Sequence, residues 1–125
     1  MKLLVATTLL ALTSIASADI SIIDNDQTIE VDCTKDKQVS VVGNHATVTL
    51  TGACTKVSIS GNHATLLGAA NTVWIAGNQN TATLSGVDTL MVAGNENTVS
   101  YKGPITAKST KVKAPGNKNT ITKQK

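Results

Sequence analysis

Gly43-Asn44-His45-Ala46-Thr47, Gly61-Asn62-His63-Ala64-Thr65, Gly77-Asn78-Gln79-Asn80-Thr81, Gly94-Asn95-Glu96-Asn97-Thr98 and Gly116-Asn117-Lys118-Asn119-Thr120 are five copies of one pentapeptide. Asp24-Asn25 with Thr28 forms a degenerate copy ahead of them. The glycines are 18, 16, 17 and 22 residues apart (61−43, 77−61, 94−77, 116−94). A unit this short cannot bury an apolar face alone, so neighbouring copies have to stack.

With each Gly (or Asp24) numbered zero, the flanking residues fall into columns. Position −4 holds Ile20, Val39, Val57, Val73, Leu90 and Val112, and position −2 holds Ile22, Val41, Ile59, Ile75, Val92 and Ala114. Position +5 holds Ile29, Val48, Leu66, Ala82, Val99 and Ile121. Position +7 is apolar in Val31, Leu50, Leu84 and Tyr101, and broken by Gly68 and Lys123. Ser, Thr, Ala and charged residues lie between. A period of two with abundant β-branched residues marks strands with one buried face. The recurring Gly and Asn, together with the wrong period, exclude helix.

Two all-β architectures fit: a meander of hairpins, or a single-domain parallel β-solenoid (β-helix) of about six short coils over residues 19–125. The solenoid is favoured because only stacked coils require the same residue at the same site in every copy. Asn44, Asn62, Asn78, Asn95 and Asn117, with Asn25 before them, then form an amide ladder along the turn. Asn80, Asn97 and Asn119 add a second one. Gly and Asn tolerate the positive φ of a tight corner, and the Thr hydroxyl is placed to bond the turn backbone. The spacing does not decide between a flat and a triangular coil.

Cys33 and Cys54 occupy matching places in successive copies, so stacking brings them within bridging distance. They are the only two cysteines. A disulfide between them is expected, and they lack the Cys-x-x-Cys spacing of redox catalysts.

Residues 1–18 read as a secretory signal peptide. Lys2 supplies the positive start, residues 3–15 an apolar run too short to span a bilayer, and Ala16-Ser17-Ala18 a cleavage site. The mature chain is expected to be secreted or periplasmic, with no transmembrane segment. It has no Phe, one Trp and one Tyr, which suits a narrow aliphatic interior. Asp19, Asp24, Asp26, Glu30, Asp32 and Asp36 crowd the first copy, whereas Lys102, Lys108, Lys111, Lys113, Lys118, Lys123 and Lys125 crowd the end of the chain. Arginine is absent, which argues against specific nucleic-acid reading.

The Gly-Asn-x-Asn-Thr turns at 77–81, 94–98 and 116–120, behind a signal peptide, resemble a family of small exported bacterial proteins of unknown function. The resemblance implies a secreted β-rich repeat domain and brings no catalytic residues. Ala46 and Ala64 depart from the motif where the second Asn would stand.

Position +2 stacks Asp26, His45 and His63, a candidate Zn²⁺ or Cu²⁺ site, although laddered side chains point parallel rather than converge. Trp74 and Met91 adjoin at the outward position −3 as a candidate partner-binding patch, unless the excursion at 102–110 covers them. Thr47, Thr49, Thr81, Thr83, Thr120 and Thr122 lie on one outer face as in ice-binding arrays, interrupted by Glu30 and Leu67. No Ser/His/acid trio, paired carboxylates or calcium repeat fits the register. The residues therefore point to a non-enzymatic exported structural or interaction module without cofactor. Its partner is expected to be either a second copy stacked end to end, acidic coil on basic coil, or an envelope component. Ice or metal binding is the alternative.

Overall fold

A computed structural model describes residues 20–34 and 38–124. The expected signal peptide, Asp19, Asp36 and Lys125 lie outside the described residues. Among the described residues nine strands follow in order: β1 Ile20–Ile22, β2 Thr28–Asp32, β3 Gln38–Val41, β4 Thr47–Ile59, β5 Thr65–Ile75, β6 Thr81–Val92, β7 Thr98–Tyr101, β8 Lys111–Lys113 and β9 Thr120–Lys123. Every pairing is parallel. The chain is a β-solenoid, and the hairpin meander is excluded.

The registers are those of the sequence columns. Val57 pairs with Val73 and Val73 with Leu90, while Val48 pairs with Leu66 and Leu66 with Ala82. Positions −4, −2, +5 and +7 point inward because alternate side chains of a strand leave on opposite faces. In the central coils the −4, −2 and +5 columns are buried, and the +7 column is buried at Leu50 and Leu84 but only partly at Gly68 and Tyr101; the largest fully buried residues are all Ile, Leu or Val. Cys33, Cys54, Ala70 and Val87 add a fifth buried column. Pairing of Ala53 with Ala69 and Ala69 with Gly86 gives each central coil a short third ladder run between its two longer ones.

The unequal repeat lengths are absorbed away from the Gly-Asn corner. The pairing register shifts between Thr49 and Ala53, and again between Gly68 and Ala69. There the chain turns through Gly52 and Gly68, both at positive φ (77° and 139°). The Gly-Asn corner itself repeats without change.

Its glycines serve packing rather than φ. The positive φ falls on the residue two places on: Asp26, His45, His63, Gln79, Glu96 and Lys118, all between 56° and 60°. This corrects the expectation that Gly or Asn takes that conformation. A Cβ at Gly61 would collide with the carbonyl oxygen of Gly43; one at Gly77 with Gly61, at Gly94 with Gly77, and at Gly116 with Gly94. Only a bare Cα lets one coil sit this close to the next.

Both amide ladders form, and they run in opposite directions. The backbone N–H of Asn62 donates to Oδ1 of Asn44 (3.0 Å), that of Asn78 to Asn62 (2.9 Å) and that of Asn95 to Asn78 (3.0 Å). The ladder runs on at both ends, through Asn25 and Asn117. Inside the corner, Oδ1 of Asn97 accepts from the N–H of Asn80 (2.8 Å), and its Nδ2 donates to the carbonyl of Gly77 (2.9 Å). Asn80 and Asn97 are buried, yet among the described residues no buried side-chain polar atom lacks a partner. The ladders thus satisfy corner groups that a bend removes from the strand hydrogen bonds.

Cys33 and Cys54 are joined, with Cα atoms 4.7 Å apart. The bridge ties the first coil to the second. For a separation of 21 residues, loop-closure entropy gives about 3 kcal/mol of stabilisation.

Candidate functional site

Three outward surfaces carry the side chains that the sequence singles out. The first is the outer side of the −4/−2 run. Position −3 lines up as Ser21, Ser40, Ser58, Trp74, Met91 and Lys113. Trp74 and Met91 are direct neighbours, as expected. The excursion at 102–110 does not cover them. Its hydrogen bonds fall on Leu84, Val87 and Asp88, in another part of the coil, and Trp74 remains 45% exposed. Lys56 from the preceding coil sets its Nζ 5.3 Å from the indole centroid, a cation–π contact. Beside this pair, Ser21, Gln38, Val39, Ser40, Lys56 and Ser58 line a shallow hollow. One flat aromatic face therefore adjoins a row of hydroxyls, an amide and an ammonium.

The second surface is the Gly-Asn corner. Asp26, His45 and His63 come together as successive rungs. The two imidazoles stack with centroids 4.9 Å apart and planes at 7°. Nδ1 of His45 lies 3.8 Å from the Asp26 carboxylate, at an exposed position where such a pair contributes little. Imidazole lone pairs lie in the ring plane, so parallel stacked rings send theirs side by side rather than toward one point. Among the described residues no cluster with metal-binding geometry forms. The stack is a continuation of the ladder, and the metal reading loses its geometric support.

The third surface is the outer side of the +5/+7 run. Thr28, Thr47, Thr65, Thr81, Thr98 and Thr120 form one unbroken column. The neighbouring column reads Glu30, Thr49, Leu67, Thr83, Ser100 and Thr122. Among the described residues the threonine hydroxyls that bond protein groups belong to Thr51, Thr106 and Thr110, so the first column is not tied to the turn backbone as the sequence suggests. A crystal lattice has to be matched in two dimensions, and only one regular row is present.

Sequence reasoning missed Asp88. Its carboxylate accepts from the Thr106 hydroxyl (2.7 Å), the Asn71 amide (2.9 Å), and the backbone N–H groups of Ile105, Thr106 and Ala107 (2.6, 2.9 and 3.1 Å). The hydrogen bonds from Thr106 and then Asn71 hold it well below the usual carboxylate range. Asp88 thereby fastens the excursion over the edge of the third run, where Val87 also donates to the Gly103 carbonyl (2.9 Å). The available sequence signal was the long final interval of 22 residues (116−94), an insertion that needs an anchor. A depressed carboxylate favours docking above its ordinary pKa and loses that contribution as pH falls through the folded-state value. In Asp88→Ala the amides of Ile105 to Ala107 are expected to exchange with solvent at least about tenfold faster at neutral pH. In the unsubstituted protein the same release appears only on acidification below the carboxylate range. Site-resolved hydrogen exchange checks both.

The pattern carried by these corners matches a family model described as protein of unknown function (DUF3060), over residues 41–66 and 61–109. The chain belongs to that family. The matched segments take in the four corners from Gly43 to Gly94 together with Trp74, Met91 and Asp88. No curated protein and no solved structure matches the chain. Among the described residues no helix is long and apolar enough to cross a membrane.

Proposed function

We propose that this protein is an exported, non-enzymatic binding module that docks on a polysaccharide of the cell envelope through the face bearing Trp74. The observation that carries the reading is the half-exposed indole beside a hollow of Ser21, Ser40, Ser58, Gln38 and Lys56. A sugar ring offers an apolar C–H face and a polar rim. An aromatic platform next to short hydroxyl and amide groups suits both. A protein partner would call for a wider apolar patch than one Trp and one half-buried Met. The rungs repeat every ~4.8 Å, so the row is suited to an extended chain rather than a compact ligand. The non-enzymatic reading is supported by the separation of the serine row from His45 and His63, which lie at the corner.

Co-sedimentation with purified envelope polysaccharide tests this, with emission from the single Trp as a second readout. Pelleting with the polymer and a shift of that emission are expected. Trp74→Ala should weaken binding by at least about tenfold. Equal binding by Trp74→Ala, or no pelleting by either protein, would overturn the proposal.

A further inference from the structure

The two ends of the stack look made for each other. The first coil carries Asp24, Asp26, Glu30 and Asp32; the last carries Lys111, Lys113, Lys118 and Lys123. Continued by one more step, the ladder would place Asp26 of a second copy over Lys118, and the N–H of its Asn25 over Oδ1 of Asn117. The corner hydrogen bond would continue as well. Each +2 N–H donates to the Asn carbonyl of the next coil, as Glu96 does to Asn117 (2.9 Å), so Lys118 would donate to the Asn25 carbonyl of the second copy.

One atom breaks the series. In all five coil-to-coil steps the upper coil has Gly at position zero, and a Cβ there would strike the zero-position carbonyl oxygen of the coil beneath. Asp24 is the exception, and among the described residues no coil lies beneath it. Stacked on a second copy, its Cβ would meet the Gly116 carbonyl as a Cβ at Gly43 would meet that of Asp24. Backbone cannot give way as a flexible side chain can. At the opposite end the exposed Lys123 stands at the inward +7 register position, next to Tyr101 and in the column that Leu50 and Leu84 fill further down. An inward charge on an edge strand is a recognised guard against edge-to-edge pairing.

We infer that Asp24 is a stop residue: its Cβ closes the acidic end of the stack to the basic end of a second copy, and Lys123 reinforces the block from the other side. Charge attraction between the ends is thereby kept from producing filaments. Heterologous contacts of this kind do not close on themselves and would run on indefinitely. The inference reverses the expectation of head-to-tail stacking, and it stands apart from the polysaccharide reading, which uses a side face.

The test compares two double variants that differ by one methyl group, Asp24→Gly/Lys123→Val and Asp24→Ala/Lys123→Val, in the chain processed before Asp19. Both lose the same charges, so only the Cβ distinguishes them. Sedimentation velocity at low ionic strength, with circular dichroism to establish equal folding, is the readout. The Gly form is expected to at least double its mean mass as concentration rises, while the Ala form stays monomeric. Association of both variants, of neither, or of the Ala form alone would overturn the inference.

Discussion

Gly94→Ala is expected to destabilise the protein by at least about 3 kcal/mol, the upper part of the range for overpacking a filled interior. The added Cβ would collide with the Gly77 carbonyl oxygen and lie 2.6 Å from its carbon and 3.0 Å from the Ala76 oxygen. All are backbone atoms of the coil below. Relief requires the coils to part at that corner. Separation there also stretches the Asn95 to Asn78 rung and the strand pairing beyond it. For a domain of this size the change corresponds to a fall of about 15 °C in Tm. Gly103→Ala is the control, because nothing lies within 4 Å of a Cβ at that position. It should leave Tm within a degree or two. Equal Tm values for the two variants would show that coil-to-coil approach does not explain the corner glycines.

Asn97→Ala is expected to cost about 4 kcal/mol. Removing the amide strands two buried backbone groups, the Asn80 N–H and the Gly77 carbonyl, and each unpaired group costs about 1–3 kcal/mol. It also deprives Asn119 Oδ1 of the bond from Asn97 Nδ2 (3.1 Å). The chain supplies its own converse. Ala64 occupies the same corner site one coil before Asn80, and the inner ladder ends there, with Asn80 accepting from the Ala64 N–H (2.7 Å). Ala64→Asn should extend the ladder toward the Gly43 carbonyl and raise stability by about 1 kcal/mol. Urea midpoints for the two variants, moving in opposite directions, would establish that the inner amides hold the corner. A loss below about 1 kcal/mol in Asn97→Ala would assign that role elsewhere.

Much of this architecture was legible because a solenoid writes its contacts into the sequence as columns. The pairing of Cys33 with Cys54, the amide ladders and the aliphatic columns all follow from one alignment on the corner glycine. The conformational role of each corner residue did not follow. General propensities assign positive φ to Gly and Asn. Here the glycine is fixed by a close approach between coils and the asparagines by their ladder bonds, so positive φ passes to the residue between them. His and Asp accept it with modest strain, whereas Gln79, Glu96 and Lys118 are less usual there. Asp88 was illegible for a different reason. It lies outside the repeat, and its partners at 105–107 belong to an insertion with no counterpart in other coils. On the binding face, the adjacency of Trp74 and Met91 could be read from the columns. The approach of Lys56 to the indole is a diagonal contact between columns, and alignment does not reveal it.

Like positions of successive coils lie one strand spacing apart along a parallel stack. Spin labels at Thr28 and Thr120, the two ends of the threonine column, measure it directly by dipolar spectroscopy. Five coil steps separate them, giving about 24 Å at ~4.8 Å per step. A hairpin meander would interpose a second strand in every copy and place the labels about 48 Å apart. A distribution centred near the shorter distance is the expected result, and one centred near the longer distance would contradict the solenoid.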